Sequence, residues 1–555
     1  MQAAPTRTGR PHVVLISLDT LRYDCVGACP DKAHLNAWGL GSKLRTPNLD
    51  EFFTEGLCFT QALTTAPYTT SAHASVMTGL YPNKHGVRGF YKWAMADGVG
   101  TLAQELKGQG YATVAVQEGG TQTALRTGSD ILRGFDAFFA DEQDACAHCA
   151  EQSRPCLLFI HTFDVHAPYC SSGVPQVDCH RGAWDAARRQ IFRRLGVAGA
   201  PPERDRDKMD FYFWVCANAR ARLGDRRAAA LLLDWYVRGV NWFDAVRWPR
   251  IVAALRGAGL YDEALVVVFA DHGEALLPDF IGPPMSHSPS LLEDVIRVPL
   301  AVRGPGLEGA RVDRQVSLVD VAPTVLDYLR ATPSAVGLGG RTDGQSLLAS
   351  PATPAVHVAE AWRTYPRKRR HGDDMWRAQQ SDPCEPFQVC ARSAGRKLIW
   401  QPGPPRLWRF MRPGRRLIAR LRSAWRGLRQ TLSRFRPLAT SLLPGGAWEL
   451  QQRVRRKAAG LLWREGGAAA PSSDAPAPDR FRWREAPLFM VDLEEDPLEE
   501  RPRRVDAREL PAEYQALLDR VKHYWEEGRC GPAIDLTADD EEKVLRHLRG
   551  LGYVD

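Results

Sequence analysis

The run Leu265-Val266-Val267-Val268-Phe269-Ala270 is apolar at every position and stops on Asp271-His272-Gly273-Glu274. A short, wholly apolar run with a polar end is the pattern of a strand buried in a sheet. Residues 13–18, 112–116, 157–161 and 298–302 are further candidate strands, and amphipathic spacers at 101–109, 228–255 and 319–329 predict helices between them. Strands alternating with helices predict an α/β fold with a mostly parallel central sheet and helices on both faces. No repeat of fixed period interrupts the pattern.

This alternation fills residues 1–345, the expected catalytic domain. Residues 346–404 and 483–555 read differently. Strand-like pieces at Lys397-Leu398-Ile399-Trp400 and Leu488-Phe489-Met490-Val491, with a helical stretch near 512–527, predict a smaller C-terminal α+β lobe. An insert at 405–482 separates its two halves. From Arg406 to Arg464 the insert carries 16 Lys/Arg and one acid, Glu449, so the chain's net charge of +8 is local. Leu417, Leu421, Ala424, Trp425, Leu428, Leu432 and Phe435 fall at helical spacing among the arginines. A cationic amphipathic helix of this kind suits an anionic membrane surface, or covers apolar surface of its own protein. Nucleic-acid binding is not expected, because no nucleic-acid fold accompanies the charge. The Gly/Ala/Pro/Ser-rich stretch after it, 466–476, has the composition of a disordered linker.

Met1 to Arg10 is short and polar, and a strand begins at once, so no apolar signal region precedes the fold. No stretch reaches the ~18 apolar residues of a membrane span. The expectation is a cytoplasmic protein, peripheral at a membrane if the insert binds lipid. Cys146, Cys149, Cys156, Cys170 and Cys179 give only half of a zinc pattern, and unpaired thiols are the expected reading.

Chemistry-bearing residues gather at strand exits, where α/β sheets bind ligands. Asp19 follows the first strand. Asp164 and His166 follow 157–161, Asp271-His272-Gly273-Glu274 follows 265–270, and His287 lies in the loop before Val298. One such Asp is usually a helix cap, but several at neighbouring exits, with histidines, suit a divalent ion. Oxygen and imidazole donors together favour Zn²⁺ or Mn²⁺ over Ca²⁺. In Pro67-Tyr68-Thr69-Thr70-Ser71-Ala72-His73 a hydroxyl is expected at a helix start, beside backbone N–H groups that bind anions, with Gly79 closing the helix.

Several segments, in order, resemble sulfatase-type members of the alkaline phosphatase superfamily. They are Leu18-Asp19-Thr20-Leu21-Arg22, Thr46-Pro47-Asn48-Leu49-Asp50, Ser75-Val76-Met77-Thr78-Gly79-Leu80-Tyr81-Pro82, Asp271-His272-Gly273-Glu274, Arg297-Val298-Pro299-Leu300 and Val491-Asp492-Leu493-Glu494-Glu495-Asp496-Pro497. The resemblance implies an alkaline phosphatase/sulfatase-like fold. It implies one ion held by Asp19, Thr69, Asp271 and His272, with Thr69 as nucleophile; for the proton that the leaving group takes from a histidine, His166 is the better candidate. Asp164 and His287, with His166, are then ligands of a second ion or substrate contacts. His73 and His85 are candidate substrate contacts, His85 equally a structural histidine.

The departures set the chemistry expected. Sulfatases of the family carry Cys or Ser at the Thr69 position and convert it to formylglycine, which threonine should not undergo. Ser71 and His73 replace the family's Pro and Arg. The expectation is therefore metal-dependent hydrolysis or transfer of phosphate esters, as in a phosphodiesterase or phosphotransferase, through a covalent Thr69 intermediate. The alternatives are a sulfuric ester hydrolase, with Ca²⁺ as its ion, and a metal-binding relative without catalysis.

Overall fold

The computed structural model describes residues 10–88, 93–117, 129–167, 169, 226–275, 287, 290–333, 338–339, 342–349, 355–364, 384–393, 395–401, 488–499 and 501–528. The insert at 405–482 lies outside them, as do Cys170 and Cys179. Among the described residues no helix is long and apolar enough to cross a membrane.

The main domain is an eight-stranded sheet. Its strands are β1 (Val13–Leu18), β2 (Leu57–Leu63), β3 (Ala112–Gln117), β4 (Ala137–Phe139), β5 (Cys156–Thr162), β6 (Leu265–Phe269), β7 (Leu300–Arg303) and β8 (Ala310–Ser317), in spatial order β4-β3-β5-β1-β6-β7-β2-β8. The central strands β5, β1 and β6 run parallel and in step, with Val13 beside Leu157 on one side and Leu265 on the other. Every residue of these three strands is buried, as their unbroken apolar runs predict. β7 alone runs antiparallel to its neighbours β6 and β2.

Helices α1 (Pro47–Glu55), α2 (Thr69–Thr78), α3 (Leu102–Gly108), α4 (Glu142–Ala150), α5 (Arg226–Trp242), α6 (Trp248–Gly257) and α7 (Val321–Tyr328) accompany the sheet. The single helix expected at 228–255 is two helices joined by a π-helical turn, Phe243–Arg247. Pro249 explains the break, since it lacks the N–H that would continue the ladder. The turn swings Arg247 inward, where it is 7% exposed.

A second, antiparallel sheet has the order β13-β12-β11-β10-β9, from β9 (His357–Thr364), β10 (Cys384–Ser393), β11 (Arg396–Trp400), β12 (Leu488–Asp492) and β13 (Arg503–Val505). Its residues alternate between two buried faces. Val358, Val389, Leu398, Leu488 and Met490 pack under α8 (Ala512–Glu526), while Ala359, Ala361, Cys390, Ile399 and Phe489 pack against Leu63, Leu291, Leu292 and Ile296 of the main domain. Charged side chains are sealed into the seam: Lys397 bonds Glu499 at 2.8 Å and Glu293 at 3.3 Å, and Arg392 bonds Glu293 at 3.0 Å.

Candidate active site

The site forms where β1, β6 and α2 end or begin together. Asp19 is anchored by its N–H, which donates to Thr162 O at 3.1 Å. The chain then turns at Thr20 with φ +60°, a left-handed conformation that a β-branched residue adopts only under constraint. Tyr236 of α5 supplies that constraint. Its hydroxyl donates to Thr20 O at 2.6 Å and accepts the Arg22 N–H at 2.9 Å.

Beyond β6, Asp271 Oδ1 accepts the N–H of His272 at 2.9 Å and that of Thr20 at 3.3 Å. His272 is oriented by its own loop: its Nδ1–H donates to Gly273 O at 3.0 Å, which leaves Nε2 with a free lone pair. Gly273 is required there, because a Cβ would stand 2.1 Å from Asp294 O. Helix α2 begins at Thr69, after an extended Tyr68, and closes at Gly79 with φ +66°. The Thr69 hydroxyl lies 3.5 Å from Asp19 Oδ2 and 3.5 Å from His272 Nε2.

Asp19, Asp271 and His272 are fully buried and offer ligand atoms that all lie within 4.8 Å of one another. Asp19 Oδ1 and Asp271 Oδ2 have no hydrogen-bond donor. Two orphaned carboxylate oxygens facing an imidazole lone pair at 3.5–3.9 Å fit a divalent cation.

The electrostatics agree. Burial alone would raise the Asp19 carboxyl, but His166, His161 and His272 hold it below the ordinary carboxylate range. Asp271 is pushed up to about 7 by burial and by the charge on Asp19. The second negative charge, on Asp271, is therefore the one that calls for a further cation. Burial, with His287 alongside, brings His272 down to about 3, so its ring is neutral at physiological pH, the form that can ligate a metal.

The remaining expected residues divide. The His287 ring stands 4.4 Å from that of His272 and 5.7 Å from that of His166, with its Nδ1 3.6 Å from Glu274 Oε2. His166 thus borders the cluster, its Nδ1–H donating to Ala167 O at 2.9 Å. Asp164 does not join the cluster. It accepts from Arg247 Nε at 3.2 Å, and Arg247 also binds Glu142. His73, expected to touch substrate, is fully buried behind Thr69, with Nδ1–H donating to Thr69 O at 2.7 Å and Nε2 accepting from Ser17 at 2.8 Å. His85 is also fully buried, its Nε2–H donating to Ser75 Oγ at 3.0 Å while Nδ1 accepts the Val87 N–H at 3.1 Å. Both rings are therefore committed to holding α2.

One neighbour is not evident from the sequence. His161, near the end of β5, puts Nε2 3.5 Å from Asp19 Oδ2. Its only signal is a lone imidazole closing the apolar run Leu157-Leu158-Phe159-Ile160. Cys146, Cys149 and Cys156 are buried free thiols.

Known proteins resemble the chain as follows. The chain is 32% identical over 107 residues to an arylsulfatase of Clostridium perfringens, a stretch covering 19% of this chain and 20% of that protein. It is 22% identical over 364 residues to an ulvan-active sulfatase of Formosa agariphila, covering 59% and 62%. These matches span less than two thirds of either relative. The structure of a phosphonate monoester hydrolase of Agrobacterium radiobacter superposes with a TM-score of 0.48 at 18% identity, over 70% of this chain and 87% of that one. The family model described as Sulfatase matches residues 11–149 and 145–331, more than half of the sequence. Asp19, Thr69, Asp271 and His272 all fall inside that span, and the chain belongs to the sulfatase family.

Proposed function

We propose that this chain is a metal-dependent hydrolase of sulfuric esters in which Thr69 is the nucleophile. The observation that carries the reading is the Thr69 hydroxyl, 3.5 Å from both Asp19 Oδ2 and His272 Nε2 at the head of α2, inside the span shared with sulfatases. The sequence alone favours phosphate esters. The relatives, arylsulfatase and ulvan-active sulfatase among them, support the sulfuric ester instead.

A divalent cation held by Asp19, Asp271 and His272 would supply Lewis acidity toward the ester oxygens and the attacking hydroxyl. The chain's own groups do the rest. The first N–H groups of α2 face an oxyanion bound at the Thr69 hydroxyl. Thr69 Oγ1 attacks sulfur as its proton passes to solvent water, the bond to the leaving alkoxide breaks, and His166 protonates that alkoxide, to be reprotonated by the water that enters next. Water then attacks the threonine ester and restores the hydroxyl. His73 and Ser17 hold the Thr69 backbone during both steps.

A second reading, phosphoric ester hydrolysis or transfer, rests on Thr69 itself, which acts as an unmodified hydroxyl. The test is an assay of the purified chain on nitrophenyl sulfate, nitrophenyl phosphate and bis-nitrophenyl phosphate, after chelation and metal add-back. Dominant sulfate turnover supports the first reading, and dominant phosphate turnover replaces it with the second. Silence on all three with metal bound contradicts both and returns a non-catalytic metal binder.

A further inference from the structure

Among the described residues β9 is the edge strand of the C-terminal sheet, and the backbone groups on its outer side meet no described strand. The loop leading into α2 meets them instead. The Glu360 N–H donates to Thr65 O at 3.0 Å. The Trp362 N–H donates to the Tyr68 hydroxyl at 2.8 Å, and that hydroxyl donates in turn to Trp362 O. One phenol, 2% exposed, thus satisfies both backbone groups of a residue 294 positions away.

Tyr68 is joined to Thr69 by a single peptide bond and is the extended residue from which α2 starts. The other holds on this loop come from the main domain: the Thr64 N–H on Ile296 O at 2.8 Å, and Thr65 Oγ1 on Ser75 Oγ at 2.7 Å. Neither reaches Thr69, whose carbonyl is held from within α2 by His73 Nδ1–H at 2.7 Å, a contact that does not fix the loop leading into the helix. The ligand residues come from the ends of β1 and β6, in the main sheet. The relative placement of hydroxyl and ligands is therefore set from two sides, one of them the C-terminal sheet.

We propose that Tyr68 is a positioning residue for Thr69, and that through it the edge strand of the C-terminal sheet fixes where the nucleophile stands. The inference rests on the ester-hydrolase reading for its consequence in catalysis, but not for the clamp itself. Tyr68→Phe keeps the ring and strands two buried backbone groups at Trp362. With Thr69 free to drift by a fraction of an ångström, kcat falls about 10- to 100-fold while KM stays within about twofold. Metal affinity is unchanged.

The experiment combines kcat and KM, isothermal titration with Mn²⁺ or Zn²⁺, and amide hydrogen exchange, on wild type and Tyr68→Phe. Exchange in residues 65–72 and in 358–362 rises together in the variant, by about tenfold. An unchanged kcat, or a loss that tracks only the unfolded fraction and disappears on cooling, overturns the proposal. So does faster exchange in one segment without the other. If wild type hydrolyses none of the esters, the function reading fails, yet the exchange data still decide the clamp. If Tyr68→Phe does not fold, wild type is followed by exchange at rising sub-denaturing guanidinium. Residues 65–72 opening together with 358–362 supports the clamp, and 65–72 opening while 358–362 stays protected overturns it.

Discussion

Thr69 Oγ1 and His272 Nε2 stand 3.5 Å apart although 203 residues separate them in the chain. Neither is placed by local sequence alone. Thr69 opens α2, the helix that follows β2, and His272 lies in the loop that leaves β6. Their meeting is a product of strand order, because β2 and β6 both run antiparallel to the β7 between them and so deliver the segments that follow them to the same end of the sheet.

A cation held by Asp19, Asp271 and His272 would support the fold as well as the chemistry. Asp19 and Asp271 are fully buried carboxylates that each leave an oxygen without a donor. Chelation is expected to lower Tm, and restoring Mn²⁺ or Zn²⁺ to raise it in proportion to the logarithm of free metal. Asp271→Asn weakens metal binding about 100-fold or more, because it removes a ligand charge rather than an outer contact. Differential scanning calorimetry with and without chelator, on wild type and Asp271→Asn, checks both. A Tm indifferent to chelation contradicts the site.

Asp164 gives stability a pH dependence of known sign. Burial, with Glu142 beside it, pushes its carboxyl from 3.8 up to about 7. A carboxyl raised on folding adds stability only while protonated. The contribution is complete below the unfolded value and is lost as pH rises through about 7. Thermal melts of wild type are expected to fall in Tm from about pH 5 to pH 8, and those of Asp164→Asn to fall less steeply. Parallel profiles would remove Asp164 as a cause.

The seam between the two sheets depends on paired buried charge. Lys397 is fully buried with Glu499 at 2.8 Å and Glu293 at 3.3 Å. Lys397→Met removes the buried cation that Glu499 is bonded to and leaves Glu293 to Arg392, and is expected to cost about 3–5 kcal/mol. Urea denaturation measures it. A loss below about 1 kcal/mol would mean the network is solvated like a surface pair.

The legible parts of the sequence are those written in local chemistry. Unbroken apolar runs mark β1, β5 and β6 because a strand buried on both faces has no polar position to blur the signal. Asp19, Asp271 and His272 are legible because they close such runs. β8 escapes such a reading because it is an edge strand whose first half, Ala310 to Arg314, is polar and largely exposed. Asp164 reads as a ligand because it follows a strand, but a π-helical turn in another segment brings Arg247 to it. His73 reads as a substrate contact from its place in the motif. An imidazole is shorter than the family's arginine, and it stops at Ser17 and the Thr69 carbonyl.

The most direct test of the central claim is to trap the covalent ester. Wild type loaded with Mn²⁺ or Zn²⁺ would be mixed with nitrophenyl sulfate, quenched in acid within one turnover, digested, and mapped by mass spectrometry, with Thr69→Ala as control. The account predicts a sulfuryl group on Thr69, released as nitrophenol production continues, and no adduct or turnover in Thr69→Ala. Turnover that persists in Thr69→Ala, or an adduct on another residue, would contradict it.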